Sequence, residues 1–236
     1  MKKILLMFSF VILVGLITGF SGNSSKVHAS EMGNSIMAES ANGFAYTMKK
    51  NALIMMQRKQ NDIDLGTYPY YTGKYFASKV KSGGDWDYKR TFGYSNGYYF
   101  DGRYMTGEAL GNMHYGFTGR ASGFSEYLLR TAAGAVQIYS GTSHIGWYGS
   151  YFDDPKDQHY IEIGFNYWGS PSTLPSSVNS NTSVKSDDLN LMNMSLEKME
   201  ANIDLLMEKH FTKQERQELQ KEFDKMVKND PKRIAN

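Results

Sequence analysis

The residue best suited to chemistry is His114, which lies in the stretch 111–121 beside Asn112, Tyr115 and Arg120. An imidazole has an ordinary pKa that suits proton transfer near neutral pH, and a guanidinium can stabilise an oxyanion. These residue types predict a hydrolytic centre with His114 as general base and Arg120 as its cation. Asn112 and Tyr115 are then candidates for substrate binding.

The glycines around His114 support a structural interpretation of the same stretch. They lie at separations that are multiples of four: Gly107, Gly111, Gly119 and Gly123. On a helix they would line one side and let a neighbouring backbone approach closely. Asn112 and His114 would then only form hydrogen bonds inside a packed interface. Both interpretations stay open, and the commoner role of Arg120 is to anchor a carboxylate.

A second group of candidates is the acidic run 153–159, which offers Asp153, Asp154, Asp157 and His159. Asp154 precedes a proline and fits a helix N-cap, with Asp157 placed to bond back to it. Asp153 is the carboxylate left for acid–base work or for a divalent ion. The spacing is not that of an EF-hand, and there is no H-E-x-x-H zinc motif. The sequence therefore assigns no metal ligand, and the cofactor stays unknown.

A third group follows the glycine pair at 83–84. Asp87 and Lys89 would lie on the same side of an extended chain, either as an ion pair or as a base and a cation at the substrate. Trp86 fits the hydrophobic core. Tyr88 joins Asn112 and Tyr115 as a candidate for substrate binding.

Several elements must position these side chains. Apolar spacing and capping residues predict helices over 45–59 and 70–80, after Ser125, and after Asp154-Pro155. Turn signals between Phe92 and Tyr104 predict a β-hairpin. The expected fold class is α+β: a mostly helical compact domain with a small hairpin or sheet, followed by a linker and a C-terminal helical hairpin.

Three segments together are similar to one known family. They are V-x-x-x-G-x-W-D-Y-K at 80–89, G-N-x-x-Y-G-x-x-G-x-A at 111–121 and D-D-P-x-D-Q at 153–158. In this order they resemble the bacterial polymorphic toxin type 44 domain. The resemblance implies an effector deployed between competing bacteria, and it makes an immunity protein a candidate partner. It covers about half of the chain and leaves out both ends.

The N-terminus has the features of a signal peptide. Lys2 and Lys3 provide a cationic start, an apolar stretch extends to Phe20, and 27–29 fits a cleavage site after Ala29. The protein is therefore expected to be secreted and extracellular, without a stable membrane anchor. A transmembrane anchor is the competing interpretation, but the apolar stretch is short for a bilayer.

Composition changes sharply along the chain. Every Tyr and Trp lies between Tyr46 and Trp168, and no Gly follows Gly169. We predict a signal peptide at 1–29, a flexible segment at 30–43, the toxin-44-like domain at 44–169, a linker at 170–186 and a helical hairpin at 187–236. The hairpin starts its second helix at Thr212, where a capping box extends to Glu215.

Charge and cysteine content narrow the function. Beyond residue 29 the chain has 23 Lys and Arg against 24 Asp and Glu, and it has no Cys anywhere, which excludes disulfides and a cysteine nucleophile. This balance disfavours a protein held on nucleic acid by bulk electrostatics, so nucleic acid enters only as a substrate. The sequence predicts a hydrolase acting on a polymer or precursor of competing cells, with RNA and cell-wall material not separated. The alternative is a non-catalytic exported module that binds the wall or a protein partner.

Overall fold

The computed structural model describes residues 39–175 and 186–230. The predicted signal peptide, most of the segment 30–43 and most of the linker lie outside these ranges. Among the described residues, no helix combines the length and the apolar character that crossing a membrane requires.

The small sheet lies at one edge of a helical body. Strand β1 (Glu39–Ser40) pairs in parallel with β2 (Gly97–Phe100), and β2 pairs antiparallel with β3 (Arg103–Thr106). Asp101 and Gly102 join β2 to β3, and both have positive φ, as a type I′ hairpin turn requires. The hairpin predicted from the Asp-Gly signal is confirmed.

Six helices make up the body. They are α1 (Phe44–Asp64), α2 (Tyr70–Val80), α3 (Tyr88–Phe92), α4 (Gly107–Ala121), α5 (Glu126–Ser140) and α6 (Pro155–Gly169). Ser125 caps α5 and Asp154 caps α6 through their side chains, as predicted. A 3₁₀ turn at Ile145–Ser150 connects these two helices. The mostly helical α+β class is confirmed.

Helices α4 and α6 make the most extensive contact in the body. A Cβ atom on Gly116 would lie 2.2 Å from the Ile161 carbonyl oxygen, and one on Gly164 would lie 2.1 Å from that of Met113. The two backbones touch at these glycines, so neither position can accept a side chain without a shift. On α4 the contact with α6 falls at Gly116, which is not one of the four glycines predicted to allow a close backbone approach. Of those four, Gly107 makes such an approach, since an added Cβ would lie 2.2 Å from the Gly93 carbonyl oxygen.

The described part of the tail, 186–230, contains four helices: α7 (Ser186–Met192), α8 (Leu196–Ala201), α9 (Ile203–His210) and α10 (Lys213–Lys228). Thr212 and Glu215 form the predicted capping box of α10. The amphipathic stretch before it is divided at Asn202, whose side-chain amide donates to the Lys198 carbonyl oxygen over 2.8 Å. An Asn side chain competes with the backbone for such bonds, which ends the helix there.

The tail packs against α1 and α2 and shares their hydrophobic core. The fully buried Lys49 donates to the carbonyl oxygens of Leu191 and Met192, at 2.8 and 2.6 Å. Burial lowers the pKa of Lys49 to about 7. The guanidinium of Arg58, also fully buried, lies 5.0 Å from the ring centre of Phe223. The tail thus provides carbonyl and aromatic contacts to two buried basic side chains of the body.

Candidate functional site

Lys89 is carried to the site by the short helix α3. Its aliphatic chain crosses α4 at Gly111, where an added Cβ would lie 2.6 Å from the Lys89 Cγ. A side chain at position 111 would therefore displace Lys89. The ammonium group then reaches Glu108 on α4, 4.0 Å away, and Asp157 on α6, 3.7 Å away. One residue from each of the three motif segments meets at this point: Lys89, Gly111 and Asp157.

Asp153 lies beside this contact and is only 2% exposed. Its carboxylate accepts a hydrogen bond from the Gln158 side-chain amide over 2.6 Å. Burial raises the pKa of Asp153 to about 6, and the charge of Asp157 acts in the same direction. The Gln158 bond and the charge of Lys89 partly oppose the rise. Asp153 can therefore gain or lose a proton near neutral pH, as a general acid or base requires.

Arg130 completes the group from α5. Its guanidinium donates to the Gln158 side-chain carbonyl over 3.3 Å and pairs with Glu162 at the same distance. We call Lys89, Arg130, Asp153, Asp157 and Gln158 the charged cluster. Sequence reasoning missed Arg130, which belongs to none of the three motif segments. It also treated Asp157 as a helix-cap residue and gave Gln158 no role, although the place of both residues in the D-D-P-x-D-Q segment was a usable signal.

His114 faces a different environment from the charged cluster. It is 1% exposed, and its ring lies 4.6 Å from that of Tyr88, 5.6 Å from that of Trp86 and 5.8 Å from that of Phe44. Burial alone lowers the pKa of His114 to about 3. The imidazole is therefore neutral at physiological pH.

Asn51 connects His114 to α3. Its amide nitrogen lies 2.9 Å from the Tyr88 hydroxyl and 3.0 Å from the His114 Nε2. With the amide donating to both atoms, the His114 proton is on Nδ1. That nitrogen is buried and has no hydrogen-bond partner among the described residues. This network fixes Tyr88, the residue directly before Lys89, within the core.

Two of the predicted catalytic residues lie outside both groups. Asp87 accepts from the Gly83 backbone amide over 2.8 Å and pairs with Arg90. Because α3 is helical rather than extended, Asp87 and Lys89 have separate ion-pair partners. Arg120 donates to the Phe124 carbonyl oxygen over 2.7 Å, whereas the carboxylate-rich segment is reached by Arg130.

The predicted substrate-binding residues also lie in different surroundings. Tyr88 packs on His114, as described above. Tyr115 donates its hydroxyl to the Leu129 carbonyl oxygen over 3.0 Å and is close enough to Asp153 for the carboxylate charge to act on it. Asn112 is buried, and its amide nitrogen has no hydrogen-bond partner among the described residues. Only Tyr115 therefore borders the charged cluster.

Asp154 has the capping role predicted for it and accepts from the Lys156 backbone amide over 2.8 Å. Asp157 faces Lys89 and the side chain of Gln137. His159 is exposed on α6. Within 39–175 and 186–230, no three acidic or histidine side chains are grouped as metal ligands would be.

The body is thus a helical domain with a small sheet, in which three motif segments meet at a group of charged side chains. Residues 75–170 match the family model described as bacterial toxin 44. The resemblance predicted from the three motifs is confirmed, and the function is bacterial toxin-like. Helix α1, with Asn51, and the whole tail lie outside the match.

Comparison with curated proteins gives no match, and comparison with solved structures also gives none.

Proposed function

We propose that this protein is a secreted bacterial toxin that hydrolyses a polymer of competing cells at the charged cluster. The observation that carries the proposal is the position of Asp153: a buried carboxyl with a pKa near 6, beside Asp157 and Lys89. Two carboxyl groups in unequal surroundings are a recurring basis for acid–base hydrolysis. The toxin 44 match supports the target being a competing cell.

The proposed reaction uses one proton donor and one proton acceptor. Asp153 gives its proton to the leaving oxygen of the scissile bond. The Asp157 carboxylate, held by Lys89, takes a proton from the attacking water. The oxygen of that water adds to the other side of the broken bond, and the two carboxyl groups then exchange the proton through solvent. Lys89 and Arg130 supply positive charge beside the reacting groups.

His114 has a positioning role in this proposal. Its neutral ring and its aromatic neighbours fit the packing that fixes Tyr88, and through it Lys89. A pKa near 3 makes the imidazole a poor proton acceptor at neutral pH. The toxin would act outside the producing cell after removal of residues 1–29, and an immunity protein would protect that cell.

A second function is favoured by the burial of Asp153. With 2% of its surface exposed, this carboxyl meets substrate only when the covering chain moves. A non-catalytic exported module that binds the wall or a protein partner needs no such access. The two functions differ in whether toxicity depends on Asp153.

Toxicity in a susceptible bacterium tests the proposal. The chain from residue 30 onward is expressed in the cytoplasm and, separately, with an export signal. We expect Asp153→Asn and Lys89→Met to lower killing by at least ~100-fold, the lower range for loss of an acid–base group. Asp64→Asn, at an exposed position on α1, is the matched control.

The outcomes separate the alternatives. Killing only after export indicates an envelope target, and killing only in the cytoplasm indicates RNA or another internal target. Unchanged killing by a folded Asp153→Asn protein would remove the hydrolytic proposal and favour the binding module. We expect His114→Gln to stay within about threefold of the wild type at neutral pH, since a positioning residue acts indirectly.

A further inference from the structure

Exposed apolar side chains surround the chain segment that leads into Asp153. Ile145 is 86% exposed, Tyr148 is 79% exposed, and Tyr127 on the neighbouring helix α5 is 67% exposed. Large apolar groups gathered on a surface commonly mark a binding site. These side chains form what we call the aromatic surface: Tyr127, Ile145, Tyr148, Tyr151 and Phe152.

The aromatic surface is built from paired rings. Tyr127 and Tyr151 meet edge to face at 5.8 Å, and Tyr148 and Phe152 do so at 5.7 Å. In each pair one ring is largely exposed, while its partner is half-buried. The inner pair members directly precede Asp153 in the chain. A ligand lying on the outer rings would therefore lie beside the charged cluster.

The backbone beneath the aromatic surface is held in place. Ser143 donates its hydroxyl to the Phe152 carbonyl oxygen over 2.6 Å, and Ser150 donates to that of Asp153 over 2.7 Å. The Tyr151 carbonyl lies against Gly134, where an added Cβ would clash with it. Rings fixed before binding lose little conformational freedom when a ligand arrives.

Two residues of this segment are strained. Tyr151 and Phe152 have φ of 60° and 65°, a left-handed conformation that bulky residues rarely adopt. Such a conformation is concentrated at ligand sites. Here it sets the two inner rings directly before Asp153.

The lack of charged residues in the surrounding sequence limits the chemical classes of ligand that the aromatic surface can bind. From Thr131 to Phe152 there is no Lys, Arg, Asp or Glu. Single-stranded nucleic acid also stacks on aromatic rings, but it requires a positively charged groove along its backbone. The ligand expected on an uncharged surface of aromatic rings is neutral, with flat apolar faces and hydroxyl groups at its edges. Sugar chains have this chemistry.

We propose that the aromatic surface binds a neutral polysaccharide chain and presents it to Asp153, so that the substrate of the toxin is a glycan. This inference rests on the proposed function and names its substrate class. The sugar rings lie on Tyr127 and Tyr148, and the bond that Asp153 protonates is a glycosidic bond. Water completes the cleavage as described for the charged cluster.

Binding is measured without cleavage on the full mature chain carrying Asp153→Asn. The probes are an N-acetylglucosamine hexamer, a glucose hexamer and a 20-nucleotide RNA. Their binding is measured by titration calorimetry and by the change in tryptophan fluorescence, to which Trp147 in the 3₁₀ turn contributes. We expect a glycan hexamer to bind and the RNA not to bind. Tyr148→Ala and Tyr127→Ala should each weaken glycan binding by roughly tenfold, as removal of a central aromatic contact does.

Tyr104→Ala is the matched control, because Tyr104 is 60% exposed on β3 and belongs to another surface. It should change glycan affinity by less than about twofold. The proposal is overturned if neither hexamer binds, if RNA binds through Tyr148, or if Tyr104→Ala weakens glycan binding as much as Tyr148→Ala. A protein partner captured through Tyr148 in place of a glycan also overturns it.

The substrate proposal and the hydrolytic proposal fail separately. If toxicity depends on Asp153 but the protein binds neither hexamer, the glycan proposal is wrong and the hydrolytic proposal stands. If the protein binds glycan through Tyr148 but its toxicity does not depend on Asp153, the hydrolytic proposal is wrong and the glycan-binding proposal stands.

Discussion

His114 and Asp153 are both polar, both almost fully buried and both part of a motif segment, yet their surroundings are opposite in kind. His114 is packed among the rings of Phe44, Trp86 and Tyr88, while Asp153 is next to Gln158, Asp157 and Lys89. Burial favours the neutral form of each group. It moves the pKa of His114 down to about 3 and that of Asp153 up to about 6. Only the second change brings a group into the range where it can exchange protons.

The largest expected effect on stability comes from the imidazole. Because the folded pKa of His114 is lowered, its contribution to stability is present above pH 6.5 and is lost as the pH falls toward 3. Replacing it with a side chain that does not titrate removes this loss. We expect His114→Gln to be less stable than the wild type at pH 7.5, with the deficit shrinking by roughly 3 kcal/mol at pH 4.5.

Urea unfolding of both proteins at the two pH values measures that change, because titration of the other groups cancels in the difference. A deficit that stays constant with pH would show that the imidazole is protonated normally in the folded protein. The comparison between the two buried groups would then break down.

Replacing the Asp153 carboxyl should change stability with pH in the opposite direction. The folded pKa of Asp153 is raised, so its contribution is fully present below about pH 4 and is lost as the pH rises through 6. We expect the stability of Asp153→Asn relative to the wild type to be greater at pH 7.5 than at pH 4.5 by on the order of 2 kcal/mol.

Thermal unfolding at both pH values checks this prediction, with Asp64→Asn as a surface control. A stability difference between the variant and the wild type that is the same at both pH values would contradict a raised pKa. A gain in stability together with a loss of toxicity is what a strained functional residue produces.

The smallest effect is expected from the hydroxyl of Tyr88. Tyr88→Phe keeps the ring against His114 but removes one partner of the Asn51 amide. The cost should be about 1 kcal/mol, as for a typical buried hydrogen bond, with toxicity within about twofold of the wild type. Chemical denaturation and the killing assay measure the two effects. A large loss of killing without a loss of stability would place the Tyr88 hydroxyl at the substrate and so break the division between the two regions.

Local structure followed closely from local sequence. The helix caps at Ser125, Asp154 and Thr212 and the turn at Asp101-Gly102 lie where the sequence predicts them. Caps and tight turns are decided by hydrogen bonds and backbone angles within a few residues, which a sequence displays directly. The three motif segments likewise identified the family before any contact between them was known.

The candidate site could be predicted from the sequence only in part. Lys89 and Asp153 were expected there and lie together, but Arg130 was not expected, and Arg120 contacts a carbonyl of its own loop. Residue type and spacing cannot show which of two arginines faces a distant carboxylate. That depends on how α5 is rotated against α6.

The sequence by itself determined four of the six body helices, the hairpin turn, the family resemblance and the set of side chains able to move protons. The tertiary structure alone decided which of them meet and which are shielded from water. The contact of α4 with α6 at Gly116 and Gly164 unites segments about forty residues apart, while the packing of α4 against α1 and α3 encloses His114 in aromatic rings. Proton affinity depends on the polarity and charge of the immediate surroundings, and those surroundings exist only once the distant segments are in contact.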